Sequence, residues 1–144
     1  MKKTREPVSE KSNTLRSSSL SEALQLARKA ARSGFDWPDL AGVLEKLDEE
    51  MEELKEACST GKRKKIEEEL GDLLFVIVNI ARFLKIHPEE ALGRTVRKFK
   101  TRFRYIEASL QERGKSLRQS NLAEMDELWE EAKNLKSKNQ TSKS

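Results

Sequence analysis

The sequence predicts an all-α protein, an antiparallel bundle of four to five helices, and three observations carry that prediction. Long stretches hold apolar residues at helical spacing, and none alternates with the two-residue period of a strand. Of three prolines, Pro38 and Pro88 fall where helices would open, a position at which the missing N–H costs nothing. Hydrophobic residues make up 35% and charged residues 38% of the 144 positions, a balance that suits helices with one packed and one solvated face.

Each helix is placed by its end signals. The first opens at Ser19, with Glu22 three residues on as a capping box, and stops at Ser33-Gly34, where glycine suits the left-handed closing residue. The second opens at Asp36-Trp37-Pro38, carries Leu40, Leu44, Leu47, Met51 and Leu54, and ends at Ser59-Thr60-Gly61. The third spans about 64–84, with Ile66, Leu70, Leu73, Ile77, Ile80 and Leu84 at heptad-like spacing. His87-Pro88-Glu89-Glu90 ends it and starts the fourth, which shows Leu92, Val96, Phe99, Phe103, Ile106 and Leu110 and closes near Gly114. The last begins at Asn121, with Glu124 in its first turn, and presents Leu122, Met125, Leu128 and Trp129.

One domain at 19–136 is expected between disordered basic tails at 1–18 and 137–144. The net charge of +4 belongs to the ends, with +3 over 1–19 and +4 over 133–144, leaving −3 between them. That distribution argues against specific nucleic-acid binding. The longest apolar run, 73–78, is far too short to span a membrane. The N-terminus has no apolar h-region, and the single cysteine, Cys58, has no partner in the chain, so a cytoplasmic protein is expected. Across 73–84 only Asn79 and Arg82 are polar, so the third helix is apolar nearly all round. It is expected at the bundle centre or against a second copy, and a homodimer is the expected assembly.

The chemistry lies in carboxylates that interrupt apolar stripes. On the second helix Val43, Leu47, Glu50 and Leu54 share a face, and Glu53 projects beside Glu50. On the third, Glu69, Asp72, Val76, Asn79 and Phe83 form a like stripe. A short loop makes the two helices antiparallel neighbours, so two carboxylate pairs face one gap. Four such groups repel one another and pay for desolvation, which a hard divalent cation relieves; oxygen-only ligands suit Mg²⁺, with Mn²⁺ as a substitute. Glutamate-rich helices also occur as solvated faces, and Glu50 or Glu53 could pair with Lys46 or Lys55, so the residues alone leave both readings open. A di-iron site of the Glu-x-x-His kind lacks its histidines, since His87 stands alone before a proline.

The segment Glu49-Glu50-Met51-Glu52-Glu53, followed after fifteen intervening residues by Glu69-Leu70-Gly71-Asp72, resembles the EExxE…ExxD signature of the MazG family of all-α nucleoside triphosphate pyrophosphohydrolases. Gly34-Phe35-Asp36-Trp37, the 67–75 and 78–82 segments, Lys98-Phe99 through Arg102-Phe103 and the 125–129 stretch are similar to MazG segments in the same order, so the resemblance covers about 20–135. It implies a Mg²⁺-dependent hydrolase that cuts NTPs and dNTPs to the monophosphate and pyrophosphate, in keeping with nucleotide-pool housekeeping. The implied metal ligands and catalytic groups are Glu50, Glu53, Glu69 and Asp72. Lys98 and Arg102 match positions that contact the triphosphate, and Trp129 an aromatic near the nucleotide. Trp129 also reads as a core aromatic, and Asn79 as either a base or ribose contact or a satisfied buried amide. The chain looks most like the C-terminal one of the two domains of longer family members. A dCTP-selective pyrophosphatase, a phosphoribosyl-ATP pyrophosphohydrolase and a non-catalytic helical module are the rival readings. The acidic quartet argues against the last of these.

Overall fold

The computed structural model describes residues 18–141, with side chains described through 135. Five α-helices cover most of that stretch: α1 (Ser19–Arg32), α2 (Leu40–Thr60), α3 (Arg63–Phe83), α4 (Pro88–Glu112) and α5 (Leu122–Thr141). A short 3₁₀ turn at Leu117–Gln119, absent from the sequence reading, precedes α5. No strand occurs among the described residues, in line with the all-α expectation. The readings made for 1–17 and 142–144 lie outside the described residues, and α5 runs on into the stretch expected as a tail.

Two helix starts differ from the sequence reading. The cap of α1 is Ser18 rather than Ser19: its hydroxyl accepts the Ser21 N–H, and Glu22 falls one position too late for a capping box. The second helix begins at Leu40, not at Asp36-Trp37-Pro38. Asp39 caps it by accepting the Gly42 N–H, and Pro38 sits ahead of the cap, where it disfavours helical backbone at Trp37. The other ends follow the signals. Asn121 accepts the Glu124 N–H at the start of α5, and Gly61 closes α2 in a left-handed conformation, at φ 68°, that a side chain would strain.

The chain divides into two compact units, one up to Pro88 and one from Glu89 onward. In the first, α1 and α2 both pack on α3. Only Gly61 and Lys62 separate α2 from α3, so the two form a helical hairpin. Leu24 and Ala27 of α1, Val43 and Ala57 of α2, and Leu73, Val76 and Val78 of α3 are its buried apolar residues. Each large one contributes on the order of 1.5–3 kcal/mol by leaving water. In the second unit, Ile106, Leu110 and Leu128 form a core flanked by Tyr105, Leu117, Met125 and Trp129.

Helix α3 keeps much apolar surface in water within the single chain. Leu70, Leu74, Phe75, Ile77 and Leu84 remain between 41% and 50% exposed. The first half of α4 does the same at Leu92, Val96 and Phe99.

Candidate functional site

Three charged or amide side chains are buried among the described residues: Glu50, Glu69 and Asn79. All three stand at the stripe positions read from the sequence. The hairpin brings Glu50 of α2 against Glu69 and Asp72 of α3, with one carboxylate oxygen from each lying within 4.8 Å of the others. Glu50 is 5% and Glu69 3% exposed, while Asp72 faces solvent. Glu53 stands outside that trio but against Glu69, and borders a recess of about 290 Å³ that Thr60, Lys65 and Glu69 also line.

Burying two carboxylates side by side is costly unless their oxygens find partners. Each finds half. The Lys46 ammonium lies 3.0 Å from Glu50 Oε1, and that of Lys65 lies 2.6 Å from Glu69 Oε1. Glu50 Oε2 and Glu69 Oε2, with every carboxylate ionised, have no hydrogen-bond partner. The charges register in the proton affinities. Lys65 holds the Glu69 carboxyl below its ordinary range in spite of burial. The hydrogen bond from Glu53 to Glu69, and then the charge of Glu50, push the Glu53 carboxyl up. Lys46 and Lys65 are raised by the glutamates they serve. Three close carboxylates with two free buried oxygens can hold a hard divalent cation.

Asn79 lies one turn beyond Val76 and is 2% exposed. Its amide nitrogen donates to the Phe75 carbonyl at 3.2 Å, and its oxygen accepts from Arg82 Nε at 3.2 Å and Nη2 at 3.1 Å. The chain's own groups thus hold both ends of the amide. Arg82 also donates to both carboxylate oxygens of Asp36, ahead of α2, and holds that carboxyl below its ordinary range. Sequence reading missed this link, since Asp36 and Arg82 are 46 residues apart. It missed Lys65 as well, although the i, i+4 spacing to Glu69 was there to be seen.

The second unit carries the remaining expected residues. The Arg102 guanidinium sits 5.1 Å from the centre of the Trp129 ring, and its buried Nε has no hydrogen-bond partner. Trp129 meets Phe99 at 5.4 Å between ring centres, and Phe99 stacks on Phe103 at 5.8 Å. Lys98 and Arg102 line a groove of about 380 Å³ together with Thr101, Arg104, Tyr105, Ala132 and Leu135. Cationic side chains suit an anionic ligand there, while Trp129 stands outside the lining. Trp129 belongs to the edge of the apolar core, as one of its two sequence readings has it.

A family model described as the MazG nucleotide pyrophosphohydrolase domain matches residues 39–106. The chain is 46% identical, over 114 residues, to the nucleoside triphosphate pyrophosphohydrolase/pyrophosphatase MazG of Thermotoga maritima, an alignment covering 79% of this chain and 44% of that protein. It is 37% identical over 116 residues to the nucleoside triphosphate pyrophosphohydrolase of Escherichia coli K12, with the same coverage. A shorter stretch, 65 residues at 55% identity, matches the uncharacterized protein YabN of Bacillus subtilis, covering 45% of this chain and 13% of that one. The chain spans less than half the length of these curated relatives.

Proposed function

The chain belongs to the MazG nucleotide pyrophosphohydrolase family, and on that premise we propose that it hydrolyses nucleoside triphosphates to the monophosphate and pyrophosphate with Mg²⁺ as cofactor. The observation that carries the reading is the meeting of Glu50, Glu69 and Asp72, two of them buried with an oxygen left over.

The donor set fits the cofactor. It is all oxygen, carries net negative charge, and has no histidine or thiol that would favour a softer metal. Glu50, Glu69 and Asp72 would hold the ion, with Glu53 beside them, and Mn²⁺ would be an acceptable substitute. When bound, the ion supplies positive charge to the phosphate oxygens and the departing pyrophosphate.

The chain's own groups do the rest. Glu53 is the proposed general base: it is exposed, next to the carboxylate trio but outside it, and so free to take a proton from attacking water. Lys98 and Arg102 are proposed to meet the triphosphate. Trp129 is proposed to stand near the nucleotide. Asn79, its amide held at both ends, is proposed to orient Arg82 and the Asp36 loop rather than to read the base.

The proposed assembly is a homodimer, supported by the half-exposed apolar row on α3. The expected compartment is the cytoplasm, on the ground of the one unpaired cysteine, Cys58. No helix among the described residues is long and apolar enough to cross a membrane. A panel of NTPs and dNTPs with Mg²⁺ tests the activity. Monophosphate and pyrophosphate are the expected products; orthophosphate and diphosphate, or no turnover, would overturn the reading.

A further inference from the structure

The two helices of the hairpin carry the same seven-residue spacing of charge: Lys46-x₃-Glu50-x₂-Glu53 on α2 and Lys65-x₃-Glu69-x₂-Asp72 on α3. In both copies the lysine lies one turn before a buried glutamate and reaches it with its ammonium group, at 3.0 and 2.6 Å. These pairs are unlike the surface pair Lys55–Glu52, whose two side chains are 64% and 73% exposed. The side chains of Glu50 and Glu69 are 7% and 4% exposed, while Lys46 and Lys65 keep 36% and 53% of theirs in water. The glutamates are fixed in the hairpin and the lysines extend to them from outside. Each lysine takes one oxygen of its buried glutamate and leaves the other without a partner, Lys46 also meeting the exposed Glu49 at 3.3 Å.

From this duplicated arrangement we infer that Lys46 and Lys65 are built-in counter-cations of the carboxylate site, competing with the divalent ion for Glu50 and Glu69. The inference rests on the metal-site reading above and adds two residues to it. An ammonium group is a compact point charge on a flexible stem, so it keeps a buried carboxylate ionised and aimed, yet withdraws at little cost. Its charge also repels an arriving divalent ion a few ångströms away, across a site only partly screened by water. The pair of lysines therefore lowers the affinity for the cation and keeps it exchangeable.

The test is Mn²⁺ binding to the full chain without nucleotide, followed by calorimetry and by the loss of the free-ion spin-resonance signal. Lys46→Met and Lys65→Met should each bind Mn²⁺ more tightly, by roughly tenfold, and the double variant more tightly still. Equal or weaker binding in both single variants overturns the inference. Glu69→Gln separates it from the reading beneath: wild-type Mn²⁺ affinity in that variant sinks the metal site itself. Lost binding there, with no gain in the lysine variants, sinks the counter-cations alone. Lysine-selective NMR of the unaltered chain covers the case in which a methionine variant does not fold. After chelation, the ammonium protons of Lys46 and Lys65 should exchange more slowly than those of Lys55, and Mg²⁺ should abolish the difference. Slow exchange that persists with Mg²⁺ overturns the inference too.

Discussion

Arg82, near the end of α3, grips Asp36 with both terminal nitrogens of its guanidinium group while the same side chain donates twice to Asn79. The side chains of Arg82 and Asp36 are 14% and 23% exposed, so the pair is shielded from water but not sealed. It ties the connection ahead of α2 to the buried amide of α3. Arg82→Met keeps the stem and removes every one of these hydrogen bonds. It should cost about 1–3 kcal/mol, the range for charge-assisted bonds at a partly shielded position, and leave Asn79 Oδ1 buried without a donor. Denaturant unfolding of the two proteins measures the difference; a loss under a few tenths of a kcal/mol would mean that the link is ornamental.

The carboxylates contribute to stability and to metal binding separately. Lys65 holds the Glu69 carboxylate ionised in spite of burial, so Glu69→Gln should lower the melting temperature after chelation. The same change should remove the stabilisation that Mg²⁺ gives the wild type and lower kcat/KM by at least about a hundredfold, as should Asp72→Asn. Melting curves with Mg²⁺ and with chelator, next to turnover, provide both readouts. Wild-type turnover in either variant would take that residue out of the site.

How much of this was legible in the sequence depends on the range of each interaction. Glu50 and Glu69 could be picked out because helical spacing alone puts them on the faces of Val43, Leu47 and Val76, and the structure buries both. The gap they share needed only a two-residue turn at Gly61-Lys62. Asp36 could not be read, since its partner lies in another helix and no local rule links the two. Its acidic side chain near Pro38 imitated a helix start, while Asp39 three residues on was the true cap. The division near Pro88 left no mark beyond a helix boundary at His87-Pro88.

Glu124 supplies a pH test away from the metal site. Ser120, Arg113 and Lys115 all donate to its carboxylate, the first at 2.6 Å, and lower its pKa from an ordinary 4.5 to about 2. A depressed carboxylate stabilises the fold fully above the unfolded value and loses that contribution as pH falls through the folded one. Melting temperatures of wild type and Glu124→Gln should therefore differ by a constant amount above about pH 5. The gap should narrow between pH 4.5 and 2 and close below. A gap independent of pH would assign the loss to packing instead.

The row formed by Leu70, Leu74 and Ile77 on α3, with Leu84 at its C-cap, is an apolar stripe that lies half in water. A stripe of this kind on a stable protein is ordinarily covered. Static light scattering at micromolar concentration should give twice the chain mass of 16.6 kDa. Leu74→Glu with Ile77→Glu should give the single mass while retaining helical circular dichroism. A wild-type monomer would remove the dimer.

Selectivity among bases should be weak, because few groups are left to read one. Lys98 and Arg102 address phosphate, which every nucleotide carries. The Trp129 ring already meets Phe99 and carries the Arg102 guanidinium over it, and an aromatic contact distinguishes little between bases. Asn79 is the one amide singled out for hydrogen-bond readout, and its oxygen already takes two donors from Arg82 while its nitrogen serves Phe75. Strong discrimination needs a buried polar group that the wrong base leaves unpaired, and this amide is paired whichever base arrives. The kcat/KM values for the eight common NTPs and dNTPs should fall within about tenfold of one another, roughly 1.4 kcal/mol in barrier. Asn79→Ala should then lower stability, by exposing Arg82 to the loss of its partner, without reordering the eight. A preference above about a thousandfold for one base, abolished by Asn79→Ala, would instead mean that the amide leaves Arg82 to meet the nucleotide, and would favour the dCTP-selective relative as the better likeness.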